Sequence, residues 1–249
     1  MAEKHFYEQI DFTKKYLLPY FRKYVPEFQK LSVFEIGCAE GGLLEVLQNM
    51  GIDASGVEIS NERVKIAQEK NPNLKITVGD ITDPDLPAKL NRKFDFIIMR
   101  EVIEHIYKKK AAFDNINELL NENGYLFISF PPKFSPFAGH QQIGKSFLKT
   151  MPYLHLVPAI LLRPTAKLFG ENDGYVDEIK LHFSTGCSIR ELENQYRAKN
   201  FSVVKKEFFF FRPVYLVRFG LPIFRLPGIP ILREIISFGC ESLLQKKSV

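Results

Sequence analysis

A short apolar run that ends in a cluster of small residues constrains the fold of this chain more than any other feature. Residues 33–36 are Val-Phe-Glu-Ile, residues 37–42 are Gly-Cys-Ala-Glu-Gly-Gly, and residues 43–47 resume an apolar helical pattern. This order predicts a strand that enters a glycine-rich turn and continues as a helix. Glycine has no Cβ and the first amides of a helix lack intrahelical partners, so a ligand is able to lie against bare backbone. We predict a nucleoside-cofactor site here.

Two acidic residues at the ends of the next predicted strands define the nucleoside. The apolar residues 54–57 end in Glu58, about 20 residues after the first glycine, where a carboxylate is able to accept hydrogen bonds from both ribose hydroxyls. The run over residues 74–78 is followed by Gly79 and Asp80, and an acid at that strand end is able to bind the exocyclic amine of an adenine. Together the two acids predict adenosine.

These segments resemble the class I S-adenosylmethionine-dependent methyltransferases of the small-molecule type. The glycine-rich turn is similar to that family's first motif, residues 94–105 to its fourth strand and the following turn, and residues 123–129 to its fifth strand. The resemblance is close over residues 30–130 and looser over residues 188–217. It implies S-adenosylmethionine as the cofactor, with contacts from Glu35, Gly37, Ala39, Gly41, Glu58, Ile59, Asp80, Ile81 and Arg100.

One departure from the family pattern concerns Ala39, which stands where many members have glycine. A methyl group is compatible with that position only if the backbone φ angle is negative. We therefore expect a negative φ at this residue.

Two other functions are compatible with the same motifs. Gly37, Ala39 and Gly42 also satisfy a relaxed dinucleotide pattern with an acid downstream, so an NAD-dependent oxidoreductase is one alternative. Glu35 and Asp80 favour the methyltransferase interpretation because a dinucleotide site requires neither. The second alternative is a non-catalytic, cofactor-binding subunit that supports a partner.

The alternation of short apolar runs with helical patterns over residues 31–130 predicts an α/β fold with a doubly wound, mostly parallel sheet of seven strands. We expect one domain over residues 1–249. Residues 1–30 are predicted to form a helical cap over the cofactor, with an interruption near Pro19. Residues 31–130 form the cofactor-binding core.

The remainder of the chain is predicted to supply the acceptor site and to complete the sheet. Residues 131–185 follow the fifth strand, where an insertion hangs over the ligand site, and we expect them to be a substrate cap. Within residues 186–249, Ser188 and Glu191 form a capping box that opens a helix. Strands are expected over residues 201–211 and, as the antiparallel last strand, over residues 213–217.

The catalytic candidates are two histidines. Positioning supplies much of the rate of methyl transfer, and a general base adds a further factor when the acceptor must lose a proton. His140 is the first candidate because it lies in the insertion, and His105 is the second because it follows the fourth strand. The predicted acceptor contacts are Glu101, His140, Gln141 and Gln142.

Composition limits the partners. The net charge of +5 is spread over 249 residues, which does not predict nucleic-acid binding. The three cysteines are far apart and lack a C-x-x-C pair, so neither a disulfide framework nor a metal site is predicted. The charged residues at the start of the chain do not predict a signal peptide, and no transmembrane segment is expected. We therefore expect a cytoplasmic protein.

The acceptor is predicted to be a small molecule or a lipid-linked molecule. Residues 208–232 are unusually apolar, with arginines at intervals. This stretch either packs on the rest of the fold or forms an interface with a membrane surface or a second subunit, and the sequence leaves both alternatives open.

Overall fold

Eight strands form one sheet in the computed structural model, which describes residues 2–248. The strands are β1 Val33–Ile36, β2 Ala54–Glu58, β3 Ile76–Val78, β4 Phe94–Arg100, β5 Leu120–Phe130, β6 Phe201–Phe211, β7 Phe224–Leu226 and β8 Gly239–Lys246. Their order across the sheet is β3-β2-β1-β4-β5-β8-β6-β7. The first five strands are parallel, and β8 pairs antiparallel with both β5 and β6.

The helices lie between and beside these strands. They are α1 Ala2–Phe12, α2 Leu18–Tyr24, α3 Gly42–Asn49, α4 Asn61–Lys70, α5 Leu86–Leu90, α6 Lys109–Leu119, α7 Ala159–Leu168, α8 Asp173–Thr185, α9 Ile189–Ala198, α10 Pro213–Phe219 and α11 Pro230–Ile236. A π-helical turn, Thr13–Leu17, joins α1 to α2, and a 3-10 turn, Ile103–His105, follows β4. Ser188 caps α9 by accepting the Glu191 N–H at 3.0 Å, as its capping box predicts.

The predicted α/β class with a doubly wound, mostly parallel sheet is confirmed, with two corrections at its end. The sheet has eight strands rather than seven, because the three-residue β7 extends the β6 edge. The last strand is β8, and the segment predicted for it lies in α10. Pro213 explains the difference, because proline suits the first turn of a helix and lacks the N–H that a sheet ladder needs.

Apolar side chains cover both faces of the sheet. One layer packs Phe34, Phe94 and Ile128 against α6 and α9, and the other packs Phe96 and Phe127 against the N-terminal helices. The 131–185 insertion has a small core of its own, formed by Leu148, Leu154, Leu162, Ala166, Tyr175, Val176 and Ile179. Within residues 2–248, no helix combines the length and the apolar character needed to cross a bilayer.

The topology determines where a ligand binds. The carboxyl ends of β1, β2, β4 and β5 lie at one edge of the sheet, together with the amino end of the antiparallel β8. Open α/β sheets bind ligands at this edge.

Candidate functional site

The glycine-rich turn between β1 and α3 brings bare backbone to the sheet edge. Gly37 has a φ of +69°, and a Cβ built on it would lie 2.3 Å from Cγ2 of Val102. The turn after β4 therefore packs against this glycine, and a side chain there would push the two segments apart. Gly41, with a φ of +79°, immediately precedes α3.

Ala39 corrects the expectation of a negative φ, because its φ is +50°. An L-residue pays about 1–2 kcal/mol for this left-handed conformation. The Ala39 N–H donates to Oε2 of Glu58 at 2.9 Å, and this charge-assisted bond helps to hold the strained residue in place.

The sequence predicted that the first amides of α3 are free donors, but the first of them is not open to a ligand. Oε1 of Gln9 accepts the Gly42 N–H at 2.9 Å, and a Cβ on Gly42 would lie 2.5 Å from the carbonyl oxygen of Phe6. The N-terminal helix α1 thus closes the end of α3. A dinucleotide pyrophosphate uses such helix amides, so this closure disfavours the NAD-dependent alternative.

Glu58 lies at the end of β2 in a cavity of about 500 Å³. Its side chain is nearly enclosed, with 6% of the residue exposed. Besides Ala39, it accepts the Ser60 N–H through Oε1 at 2.9 Å. Each carboxylate oxygen keeps a second lone pair, so the arrangement fits a carboxylate that binds two ribose hydroxyls while the protein orients it.

A second cavity of about 380 Å³ lies beside the first, at the end of β3. Asp80, Ile81 and Ile59 line it together with Val102. Asp80 accepts the Thr82 N–H through Oδ1 at 2.7 Å, and the carboxylate retains acceptor capacity for an amine. Apolar walls with one oriented acid fit an adenine ring. The two cavities share Gly37, Ile59, Val102 and His105 as lining residues.

A buried ion pair lies beneath the larger cavity. Arg100 at the end of β4 donates to Oε1 of Glu35 from Nε at 3.2 Å and from Nη2 at 2.7 Å. Burial raises the pKa of Glu35, and the nearby Arg100 opposes that shift. Arg100 also lines the cavity, and since a guanidinium has five N–H donors, it is able to bind a carboxylate there as well.

The opposite half of the larger cavity is formed by the C-terminal part of the chain. Its walls include Phe130 at the end of β5, Phe209 near the end of β6, and the residues Gly239, Cys240 and Glu241 at the start of β8. Glu101, a predicted acceptor contact, lines this half with a φ of +55° and forms an ion pair with Arg212. This half combines apolar surface with a few polar groups, as acceptor sites do.

The insertion does not form these walls. Among the described residues that line either cavity, none belongs to residues 131–185. This corrects the expectation that the insertion supplies the acceptor pocket. The physical reason is that the insertion folds onto its own apolar core and contacts the site from outside the cavities. His140 and His182 pack beside His105, and Phe137 packs on Phe238, next to the Gly239 wall.

The two candidate histidines have different positions. His140 stacks on His182 with ring centroids 3.9 Å apart and lies 5.2 Å from the ring of His105. Burial and the neighbouring His182 and His105 lower the pKa of His140 to about 4. His140 is not among the residues that line either cavity, whereas His105 lines both, with a pKa also lowered, chiefly by burial. The structure thus supports His105 over His140 as a site residue.

The two amides predicted to orient the acceptor lie away from both cavities. Gln141 is buried, and its amide nitrogen donates to the carbonyl oxygens of Pro136 at 3.2 Å and Met151 at 3.1 Å. Gln142 is exposed in the same turn. These contacts indicate a role for Gln141 in the structure of the insertion. No cluster of three His, Cys, Asp or Glu side chains within residues 2–248 is arranged to hold a metal ion.

Sequence reasoning missed four residues that shape the site: Gln9, Phe209, Arg212 and Glu241. Three of them come from beyond residue 200, where the local pattern placed a different last strand. For Gln9, nothing in the local pattern of α1 shows that its side chain meets the start of α3.

Comparison with known proteins agrees with this geometry. A family model described as a methyltransferase domain matches residues 1–206. The ubiquinone biosynthesis O-methyltransferase of Pelagibacter ubique is 28% identical over 103 residues, which cover 41% of this chain and 42% of that protein. Nodulation protein S of Azorhizobium caulinodans is 36% identical over 105 residues, 40% of this chain and 49% of that protein. The chain thus matches less than half the length of either curated relative.

A solved structure extends the similarity of fold over nearly the whole chain. The magnesium protoporphyrin IX methyltransferase of Synechocystis PCC 6803, crystallised with S-adenosylhomocysteine (SAH), superposes with a TM-score of 0.54 and 14% identity. The alignment covers 97% of this chain and 85% of that one. At this identity the likeness concerns the fold.

Proposed function

Because the chain belongs to the methyltransferase-domain family that its motifs predicted, with S-adenosylmethionine as the cofactor, we propose that it transfers the cofactor's methyl group to a small organic acceptor. The observation that carries this proposal is the pair of adjoining cavities, each with an acid that backbone N–H groups orient. Glu58 lines the larger cavity and Asp80 the smaller one, which supports a ribose bound at the first acid and an adenine amine at the second. The larger cavity then continues past Glu101 to the walls formed by β6 and β8.

Different residues bind different parts of the cofactor in this proposal. Glu58 orients the ribose, Asp80 and the apolar walls hold the adenine, and Arg100 binds the carboxylate of the methionine part. When bound, the cofactor supplies a methyl group on a sulfonium, which is an excellent leaving group. The protein's task is to exclude water and to align the acceptor with that methyl group.

The acceptor that fits best is hydrophobic and carries a hydroxyl group. Phe12, Phe130 and Phe209 give the acceptor half of the cavity aromatic walls, and Glu101, Arg212 and Glu241 give it polar groups. Several similar proteins are named as ubiquinone biosynthesis O-methyltransferases, and those names support an apolar hydroxylated acceptor for this protein.

The test separates cofactor binding from transfer. Calorimetry with SAH is expected to give one site per chain, with no comparable response to NAD. Incubation with methyl-labelled cofactor and a panel of alkyl catechols, monophenols and alkyl amines is then expected to label the catechols. Binding of NAD without binding of SAH would overturn the proposal, and so would binding of SAH without transfer to any acceptor in the panel or in a cell extract. The latter result would favour the non-catalytic subunit.

We also propose that the C-terminal apolar surface docks on a lipid bilayer. This surface consists of the exposed side chains of Leu216, Phe219, Leu221, Phe224, Ile229, Ile231, Leu232 and Ile235. Phe219 and Ile231 are 66% and 77% exposed. Isolated exposed apolar residues are ordinary on a protein surface, but a cluster of this kind marks an interaction site.

The position of the cavity favours a membrane over a second copy of the chain. Val214 and Arg218 of α10 line the larger cavity, so its entrance lies beside the apolar surface. Each of the four arginines within residues 208–236 forms an ion pair with a glutamate, so the docking depends on the exposed apolar side chains rather than on free positive charge. A lipid-linked acceptor would then reach the cavity from the bilayer.

Sedimentation with vesicles tests this docking. The protein is expected to bind vesicles of phosphatidylglycerol and phosphatidylcholine, and the double variant Phe219→Ser with Ile231→Ser is expected to bind them at least tenfold more weakly. The matched control replaces Ile160 and Leu168 of α7, which are 81% and 80% exposed, with serine. Equal losses in both variants, or a stable dimer in light scattering that the first variant dissociates, would contradict the assignment.

A further inference from the structure

A buried carboxylate lies in the acceptor half of the larger cavity, and no cation in the described part of the chain forms an ion pair with it. Glu241 is the third residue of β8, is 4% exposed and contributes to the cavity lining. Oε2 of Glu241 accepts a hydrogen bond from the hydroxyl of Tyr16 at 2.7 Å. Tyr16 lies in the π-helical turn that joins α1 to α2, so the N-terminal helices hold this carboxylate from one side.

A second carboxylate lies beside Glu241 on the neighbouring strand of the sheet. Glu207 of β6 pairs directly with Glu241 of β8 in the antiparallel register. Glu207 is itself buried, and its Oε1 accepts from Nε of Arg225 at 2.6 Å. The Arg225 charge is therefore engaged by Glu207. The negative charge of Glu207 therefore lies beside Glu241 and disfavours the ionised form of Glu241.

None of the other charged or titratable groups described near Glu241 neutralises its charge through a direct ion pair. Arg212 approaches from the segment before α10, but it forms an ion pair with Glu101. Tyr20 of α2 is neutral, because burial raises its pKa well above the usual range. Burial, followed by the charge of Glu207, raises the pKa of Glu241 to about 8, and the Tyr16 hydrogen bond opposes that rise.

We infer that Glu241 is the general base of the reaction, which removes the proton from an aromatic hydroxyl of the acceptor. This inference rests on the proposed methyl transfer and deepens it by naming the acceptor group as a phenol or catechol hydroxyl. The acceptor oxygen forms a bond to the methyl carbon while the carbon–sulfur bond breaks. The sulfur keeps the bonding electron pair and becomes a neutral thioether, and the hydroxyl proton passes to Glu241 and then to solvent.

The chemistry of the neighbours supports this role. A base is most effective when its own pKa lies near the working pH, because it is then both ionised and basic. An ordinary surface carboxylate is too weakly basic to meet that condition, whereas a carboxylate held between apolar walls and a second acid satisfies it. Burial lowers the pKa of His140, the base predicted from sequence, and His140 lies outside the cavity.

The first test is the isosteric variant Glu241→Gln, assayed with 4-hexylcatechol as the acceptor. We expect kcat to fall by about 10² to 10⁴, the usual contribution of a general base, while the Kd for SAH stays within threefold. The thermal melt is expected to stay close to that of the parent protein, because the amide oxygen still accepts the Tyr16 hydrogen bond. A kcat within threefold of the parent would overturn the inference.

Two neighbouring variants give shifts of opposite sign that a purely structural role would not produce. In the parent protein, kcat/KM is expected to rise with pH up to about 8, because only ionised Glu241 accepts a proton. Glu207→Gln removes the neighbouring negative charge, so this limb should move to lower pH. Tyr16→Phe removes a hydrogen bond that stabilises the carboxylate, so the limb should move to higher pH. Shifts of the same sign, or none, would overturn the inference.

SAH binding and the choice of acceptor together distinguish a failure of the Glu241 inference from a failure of the proposed function. Protein that binds SAH and methylates hexylamine but not 4-hexylcatechol would retain the methyltransferase assignment and overturn the role of Glu241. Protein that does not bind SAH would overturn the proposed function itself.

Discussion

Substitution of Glu58 with Gln tests the cofactor site at its most constrained residue. The carboxylate accepts two backbone N–H groups, from Ala39 and Ser60, each at 2.9 Å. Glutamine offers only one acceptor oxygen, so its NH₂ group must face one of these donors. A lost hydrogen bond to a charged group is worth about 1.5–3 kcal/mol. The same range applies to the ribose hydroxyls that the carboxylate is proposed to bind.

The expected result is a weaker complex with SAH and a less stable free protein. A loss of about 1.5–3 kcal/mol corresponds to a Kd that rises roughly 10- to 150-fold, and to a melting temperature about 3–12 °C lower for a chain of this size. Calorimetry and a thermal melt measure the two effects separately. Glu62→Gln, in the exposed first turn of α4, is the matched control and should change neither. An SAH affinity within threefold of the parent would refute the ribose assignment.

Three further substitutions probe other parts of the site. Gly37→Ala places a methyl group against Val102 and is expected to weaken SAH binding at least 100-fold, as measured by calorimetry. A loss of tenfold or less would show that the turn relaxes to accept the methyl group. Gln9→Ala leaves the first amide of α3 without its acceptor, so the free energy of unfolding should fall by about 1–3 kcal/mol in urea titrations, and an unchanged value would contradict this contact. The folded state holds His140 with a pKa of about 4, below its usual 6.5, so its neutral form stabilises the fold above pH 6.5 and this contribution is lost as the pH falls towards 4. His140→Gln should therefore reduce the drop in melting temperature between pH 7.5 and pH 5, and an equal drop would refute the shift.

The placement of Gly37, Glu58 and Asp80 in two adjoining cavities was predictable because local signals specify it. The run before Gly37, the acids Glu58 and Asp80, and the spacing between them lie within one βαβ pattern. In such a pattern each strand end is marked by a change from apolar to small or acidic residues. The φ of Ala39 escaped prediction because it depends on the bond that Glu58 makes from the next strand.

The acceptor half was not predictable in the same way. Strand β8 contains the sequence Gly-Cys-Glu-Ser-Leu-Leu-Gln-Lys, in which Glu241 and Ser242 are buried. A buried strand with polar residues in its middle resembles neither an alternating strand nor an apolar run. Its identity depends on pairing with β5 and β6, which precede it by more than 25 residues. Local periodicity does not contain that information.

The packing of the insertion, residues 131–185, could not be predicted from its position after the fifth strand. The insertion leaves the sheet at the edge where ligands bind, as predicted, yet a segment of this length is able to fold on itself. Its helices bury Leu162, Val176 and Ile179 in a separate core. Its contacts near the site are peripheral: the rings of His140 and His182 meet His105 edge-on, and Phe137 packs on Phe238. The point of departure from the sheet gave no information about the direction in which the insertion turns.

The N-terminal helices link the two halves of the site. Gln9 holds the first amide of α3, and Tyr16 holds the carboxylate of Glu241. Between them, the hydroxyl of Thr13 donates to the carbonyl oxygen of Gln9 at 2.7 Å, at the start of the π-helical turn. Such side-chain bonding to the i−4 carbonyl competes with the regular helix ladder, and the wider turn shifts the residues that follow it relative to α1. Since one continuous segment contacts both the cofactor turn and the proposed base, a displacement of this segment alters cofactor binding and proton removal together.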